Sequence, residues 1–556
     1  MAITINTLDF SEHIKDGFVY VDKSRMLSEL AGSRDVFLVT RPRRFGKTMN
    51  LNMIHSFFSN EKGFGEIESV FSSLDVWIDK KAVEHAGKHP VVHISLASAT
   101  GGTWEQMLEN FELLAADWID GNREVFNSEK LTAYNRVVLE KLQSGQASLG
   151  ILQSSLFYFT DWLRKIYGQS VIVLIDEYDV PFIEAVNGGY YAKASPFLGS
   201  FFGKALKDNH NLEFSVITGI LQAAGESIFS KMNNVHKCNL FSRKFSSCYG
   251  FTDPEVGRLA RDAGFWDRIP EIRAWYSGYV FGGVEVYNPW SVMNCLYNRE
   301  FKAYWVNTSD NFLIGDLLMK APLRTVSEIE DVMAWKTVSK PISSSISFRE
   351  IHKSENAIFS FLAATGYLKA VLPDPALSED EQPAEVSLPN NEMVFCFSSL
   401  FRRWVESVAA GTMASEMLAC MERGQADRFA ELLNQYLLES SSFFDSSESF
   451  YHGFMLALMA YLHERYRIRS NRESGLGRFD IALFPKRLEA GILLELKKLG
   501  GGEDADALLD EAISQMDGKL YATEFKAQGF RYISYAIVFD RKKCFIKMNS
   551  ESNGSV

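Results

Sequence analysis

Short, unbroken apolar runs recur through the N-terminal part of this chain: Asp35–Thr40, Val91–Leu96, Val171–Asp176 and Glu213–Thr218. Each has the length of a strand, and a run without polar alternation fits a strand buried on both faces. The stretches between them carry helical spacing. In Met49–Phe58, for example, Leu51, Ile54, Phe57 and Phe58 recur along one side. Strands alternating with helices predict a parallel sheet covered on both faces, here over residues 1–235. A lead-in with a short amphipathic helix at Lys23–Ala31 comes before the first strand.

The rhythm then changes. Residues 236–440 read as mostly helical with short extended pieces and two aromatic-rich turns, Trp275–Tyr279 and Tyr287–Trp290. Pro373–Glu385, rich in Pro, Ser and acidic residues, is the best candidate loop or linker. No solenoid repeat is evident. Over 441–556 a helix, Glu448–Leu462, carries Phe450, Phe454, Leu458 and Tyr461 along one side. Strands at Tyr466–Ser470, Arg478–Phe484 and Gly491–Lys498, a helix at Ala505–Tyr521 and a strand at Tyr532–Phe539 complete a compact α/β pattern. A chain of 556 residues is too long for one core, and this three-part division fits its length.

Composition narrows the class. The apolar and charged fractions are those of an ordinary globular protein. No segment approaches the ~18 apolar residues that span a bilayer, and Met1–Asn6 has neither a basic start nor an apolar stretch. A cytoplasmic protein without membrane contact is expected. Cys238, Cys248, Cys295, Cys396, Cys420 and Cys544 form no C-x-x-C pair, so buried reduced thiols are expected rather than a zinc ribbon or redox motif. The net charge of −12 argues against passive coating of nucleic acid. It is compatible with a nuclease, whose groove can be locally basic and whose catalytic centre is acidic.

The first candidate chemistry lies in Arg41-Pro42-Arg43-Arg44-Phe45-Gly46-Lys47-Thr48, between a buried strand and an amphipathic helix. Polyphosphate binding needs backbone N–H groups turned to one point and a cation beside them. Arg43, Arg44, Phe45, Gly46, Lys47 and Thr48 are the candidate nucleotide-binding residues. Gly46 would permit close backbone approach, Lys47 would reach the β- and γ-phosphates, and Thr48 would ligate Mg²⁺. Arg41 stands where the generic pattern has glycine. Val171–Asp176 then delivers Asp176 as a Mg²⁺ ligand and Glu177 as the residue polarising the attacking water, and Thr218, at the tip of the next strand, is a candidate γ-phosphate sensor. Taken singly, an arginine-rich turn is often only solvated surface, and an acidic pair only a loop start. Their order in the chain favours ATP binding.

Tyr20-Val21-Asp22-Lys23-Ser24 followed by the arginine-rich loop resembles the AAA-ATPase-like domain family of bacteria and archaea, in which that loop replaces the usual first glycine. Trp275-Tyr276-Ser277-Gly278-Tyr279 and Tyr287-Asn288-Pro289-Trp290-Ser291 are similar to its downstream signatures.

The second candidate chemistry lies near the other end. Asp480 sits in Arg478–Phe484, and Glu495 and Lys497 sit in Gly491–Lys498. Alternate strand residues share a face, so Glu495 and Lys497 point the same way and Leu494 and Leu496 point to the core. A hairpin through Pro485–Ala490 would bring Asp480 beside Glu495. Two carboxylates able to hold Mg²⁺ and one lysine suit phosphodiester cleavage. Glu and Lys alternating with Leu is also what a half-buried strand shows without any chemistry. Arg465, Arg467 and Arg469 share one strand face, with Arg472 and Arg478 nearby; they suit either phosphates or a solvated face.

Tyr451-His452-Gly453 and Ser470–Gly475 make this region similar to the PD-(D/E)XK nuclease superfamily, in the branch fused to AAA-ATPase-like domains. The resemblance implies carboxylates at Asp480 and Glu495, a lysine at Lys497, a helix-borne glutamate at Glu448 and a glutamine at Gln515. The leading expectation is an ATP-binding and ATP-hydrolysing protein whose Mg²⁺-dependent nuclease domain acts on DNA or RNA, under nucleotide control. Self-association is compatible with it. The alternative is a nucleotide-dependent switch or sensor whose C-terminal domain binds nucleic acid or a partner without cleaving.

Overall fold

The apolar runs of the N-terminal region form strands β1 (Val36–Thr40), β2 (Val91–Ser95), β3 (Val171–Asp176) and β4 (Leu212–Gly219). A further strand, β5 (Val235–Cys238), lies at the edge. It is invisible to hydrophobic patterning because His236 and Lys237 are exposed. The sheet order is β2-β3-β4-β1-β5, with every pairing parallel. All of β1 and β3 is buried, as the unbroken Val/Ile/Leu composition requires. Each fully buried aliphatic side chain here contributes about 1.5–3 kcal/mol. Helix α1 (Lys47–Phe58) follows β1 and buries Leu51, Met53, Ile54, Phe57 and Phe58. Helices α2 (Ser155–Tyr167) and α3 (Tyr191–Leu206) pack on each other, and α2 also packs on β3.

The computed structural model describes residues 9–223, 235–305, 323–346, 354–397 and 411–439 with few breaks, and most of 451–549. It divides into two compact units, Met1–Trp305 with Ser339–Glu392, and Val306–Val338 with Met393–Val556. The mostly helical stretch 236–440 is therefore shared between them. The acidic segment Pro373–Glu385 leads from strand Lys369–Val371 into the antiparallel strand Ala384–Ser387, inside the first unit. Its composition marks solvent exposure and not a domain boundary. None of the described helices is long and apolar enough to cross a membrane. All six cysteines are free, and five are buried.

The Tyr20–Ser24 signature serves folding. Lys23 Nζ pairs with Glu255 at 2.7 Å and donates to Ser247 O. Asp22 accepts the N–H groups of Ser24 and Asp75. Glu255 in turn closes a capping box on Thr252. The lead-in is thus tied to a helix far along the chain.

Glu392 is fully buried in the same unit, accepting from Ser291 Oγ and from Trp305 N–H at 3.0 Å. Burial raises its carboxyl to about 7. A raised carboxyl pKa gives stability that is complete below the unfolded value, near 4.5, and is lost as pH rises through about 7. The loss amounts to about 3 kcal/mol. Glu392→Gln keeps the acceptor for Trp305 and cannot ionise. Urea unfolding at pH 5 and pH 8 is expected to show a marked fall in stability for the wild type and a much smaller one for the variant. Equal falls would remove this role for Glu392.

In the second unit, β6 (Tyr466–Ser474), β7 (Gly477–Pro485), β8 (Gly491–Lys498), β9 (Tyr532–Asp540) and β10 (Lys543–Asn549) form a mixed sheet in sequence order. Only the β8–β9 pair is parallel. A parallel pair needs a crossover, and α4 (Ala505–Gly518) supplies it, burying Leu509, Ala512 and Met516 against Ala482, Phe484, Leu493, Ala536 and Val538.

Candidate functional site

The arginine-rich loop leaves the carboxyl end of β1, where open parallel sheets place ligands. Its shape follows from particular residues. Gly46 has φ +83° at the start of α1, and an added Cβ would touch nothing. Conformation, and not crowding, is what requires glycine there. Arg44 also adopts positive φ, at 68°.

Arg41, standing at the missing glycine, is fully buried. Its Nη1 donates to the carbonyls of Thr40, Cys238 and Asn239, each at 2.8 Å. Its guanidinium lies over the rings of Tyr249 and Phe281. Arg41 thus clamps the loop to the end of β5. The aromatic signatures grip it from the other side. Phe45 packs edge-on against Tyr279 and Phe281, and Arg44 lies 4.2 Å over Trp290. Gly278 approaches Pro389 so closely that no side chain would fit.

Lys47 is buried, with Nζ donating to the carbonyls of Arg41 and Pro42 at 2.9 Å. Burial lowers its pKa to about 8, against the pull of Asp176, Asp179 and Glu177. Thr48 Oγ1 donates to Asp176 Oδ2 at 2.6 Å, and Thr218 Oγ1 donates to Asp176 Oδ1. The three residues proposed for this centre therefore meet at one carboxylate. Thr218 is fully buried beneath it, so its hydroxyl supports Asp176. Glu177 adopts φ +55°, and its N–H donates to Asp176 Oδ1. This backbone turn is costly for a residue with a side chain. Burial, then neighbouring Asp176, raises the Glu177 carboxyl above its ordinary value. Arg43 acts electrostatically on both Lys47 and Glu177.

One residue escaped the sequence reading. Asp179 is 1% exposed and accepts the N–H groups of Ile220 and Leu221 at 2.8 Å. It ties the turn after β3 to the turn after β4. The repeated acid in Asp176-Glu177-Tyr178-Asp179 was the available signal.

The second cluster lies on the α4 face of the C-terminal sheet. The β7–β8 register pairs Ile481 with Leu494, which brings Asp480 level with Glu495. Asp480 Oδ2 accepts the N–H of Leu496 at 2.8 Å. Gln515 of α4 joins the other two residues: its Nε2 donates to Glu495 Oε1 at 2.7 Å, and its Oε1 accepts from Lys497 Nζ at 3.1 Å. Lys497 Nζ lies 3.9 Å from Glu495. Glu495 is only 2% exposed, as buried as Leu494 and Leu496. α4 covers the polar side, so both faces are buried at Glu495. A buried carboxylate bridged to a lysine is not the exposed ladder of a half-buried strand. Glu448 lies outside the described residues, as do His452 and Gly453.

Three of the strand arginines are engaged within the fold. Arg465 pairs with Glu422, Arg469 with Glu524, and Arg467 donates to Gln528. These partners favour a paired surface over a phosphate track.

A family model described as predicted AAA-ATPase matches residues 4–229, and one described as PD-(D/E)XK nuclease superfamily matches 446–549. The chain joins an AAA-ATPase-like domain to a PD-(D/E)XK nuclease superfamily domain. The AAA-ATPase-like match contains the arginine loop, Asp176 and Thr218, and the nuclease match contains Asp480, Glu495, Lys497 and Gln515. An uncharacterized protein in the vnfD 5′ region of Azotobacter chroococcum mcd 1 is 27% identical over 328 residues, 57% of this chain. The chain covers 56% of that relative's length.

Proposed function

We propose that this chain binds and hydrolyses ATP in its AAA-ATPase-like domain and cleaves nucleic acid with its nuclease domain, the first activity governing the second. We further propose that three regions, 1–235, 236–440 and 441–556, divide this work, the helical middle relaying the nucleotide state.

The observation that carries the reading is the polar chain Lys497–Gln515–Glu495, with Asp480 on the same sheet face. Burying a carboxylate is expensive unless it is hydrogen-bonded and charge-compensated, and Gln515 and Lys497 provide both. Oxygen donors from two carboxylates suit Mg²⁺. Asp480 and Glu495 would hold it, and it would supply a polarised water and neutralise phosphate charge. Lys497 orients that water or stabilises the charge developing on the scissile phosphate.

At the ATP site, Thr48 and Asp176 present hard oxygen donors side by side, and they would hold the nucleotide's Mg²⁺. Lys47 exchanges its loop carbonyls for the β- and γ-phosphates. Thr218 and Asp179 keep Asp176 and its turn in place. Glu177, less acidic than an exposed glutamate, accepts the proton of the attacking water.

Glu177→Gln is expected to bind ATP normally and to turn it over ~10²-fold or more slowly, the span of general-base loss. Steady-state phosphate release and ATP titration on the same preparation check this. Unchanged turnover would assign the proton to another group. Assays of Mg²⁺-dependent cleavage on DNA and RNA, with and without ATP, test the whole reading.

A further inference from the structure

His85, His89 and Glu213 converge at the end of the parallel sheet opposite the ATP site. Their ligand atoms all lie within 4.8 Å of one another. His85 follows the short helix Lys80–Val83, His89 lies just before β2, and Glu213 is the second residue of β4. Parallel strands advance about 3.3 Å per residue, so Glu213 is separated from Thr218, under the ATP site, by roughly 17 Å along β4. The cluster therefore plays no part in holding the nucleotide.

The spacing of the ring nitrogens suits a shared ion as well as a hydrogen bond. His85 Nδ1 and His89 Nε2 are 3.4 Å apart. An N–H donated to oxygen is normally near 2.9–3.0 Å, so this is a long contact for a hydrogen bond. Two nitrogens bound tetrahedrally at about 2.0–2.1 Å from one ion would be roughly 3.3 Å apart. His89 Nδ1 lies 3.0 Å from the carbonyl of Ser170. A carbonyl can only accept, so Nδ1 carries the proton and the lone pair of Nε2 faces His85 and Glu213. This carbonyl contact is the support that metal-bound histidines typically receive.

The site is also held before any ligand arrives. Gly87 between the two histidines has φ +69°, and the N–H groups of Gly87 and His89 donate to the carbonyls of Phe57 and Phe58. His89 is 6% exposed, while His85 and Glu213 are half-buried and leave a route for an ion.

We propose that His85, His89 and Glu213 form a binding site for one divalent transition ion of the zinc class, with water as the fourth ligand. Two imidazoles and a carboxylate select such an ion over Mg²⁺. A bound ion would fasten the turn before β2 to the start of β4, on the domain that binds ATP.

The test is Zn²⁺ titration of the chelator-stripped full chain by calorimetry in excess Mg²⁺, which occupies carboxylate sites. The same titration on His85→Ala and Glu213→Gln should show one equivalent fewer, or that equivalent weakened at least 10-fold, with ATP affinity unchanged. Zn²⁺ should raise the melting temperature of the wild type more than that of either variant. Glu213→Gln alters a half-buried position without disturbing the buried ring, so it decides the matter even if a histidine variant fails to fold. Identical stoichiometry and affinity in wild type and Glu213→Gln would overturn the site and leave a hydrogen-bonded histidine pair. Neither outcome bears on ATP or nucleic-acid cleavage.

Discussion

Asp480→Ala is expected to eliminate Mg²⁺-dependent cleavage of nucleic acid while ATP turnover continues. Removing one charged partner from a catalytic cluster should lower the rate by at least ~10³-fold, the scale of a lost transition-state contact of about 4 kcal/mol. The alanine variant carries a second effect. Asp480 Oδ2 accepts the N–H of Leu496, which alanine leaves unpaired at a cost of about 1–3 kcal/mol. Asp480→Asn retains an acceptor and loses the charge, so it separates catalysis from stability. Cleavage assays beside urea unfolding should show both variants inactive and only the alanine variant appreciably destabilised. Lys497→Ala should retain metal binding and lose rate. Full cleavage by Asp480→Asn would end the nuclease assignment, because Asp480 and Glu495 are proposed to hold the ion together.

Lys47→Ala is expected to abolish measurable ATP binding without unfolding the chain. A pair of unit charges at about 4 Å and an effective dielectric of ~20 interacts by about 4 kcal/mol, or roughly 10³-fold in affinity. The loop should persist without the lysine. Arg41 anchors it to Thr40, Cys238 and Asn239, Phe45 packs on Tyr279 and Phe281, and Gly46 supplies the turn. Removing Lys47 relieves its desolvation penalty, shown by its lowered pKa, and leaves the carbonyls of Arg41 and Pro42 without that donor, so any loss of stability should stay within about 1–3 kcal/mol. Titration calorimetry with ATP, paired with a melting curve, checks both points. Wild-type affinity in the variant would detach Lys47 from the phosphates.

Much of this architecture was legible because burial leaves a mark on composition. Runs such as Val171–Asp176 suit strands covered on both faces, and the acid ending that run falls at the sheet's carboxyl edge. Asp480 and Glu495 met because strand register follows from a short connection. Other features depend on contacts between residues distant in sequence. Arg41 reads as a surface cation until Cys238, Asn239 and two aromatic rings enclose it. Asp179 reads as a loop acid until it takes the N–H groups after β4. The α4 crossover converts the Glu495 face from open to buried, which strand alternation cannot reveal. His85, His89 and Glu213 carry no motif because the third residue comes from a distant strand. Pro373–Glu385 left loop and linker both open, since an exposed loop within one unit has the composition of a linker.

The decisive measurement is cleavage of labelled single- and double-stranded DNA and RNA by the full chain in Mg²⁺, with and without ATP, alongside Lys47→Ala. An ATP-governed nuclease should cut at least one of these substrates, at a rate that responds to ATP in the wild type and not in Lys47→Ala. Absence of cleavage of every substrate, with Mg²⁺ or Mn²⁺ and in either nucleotide state, would contradict it.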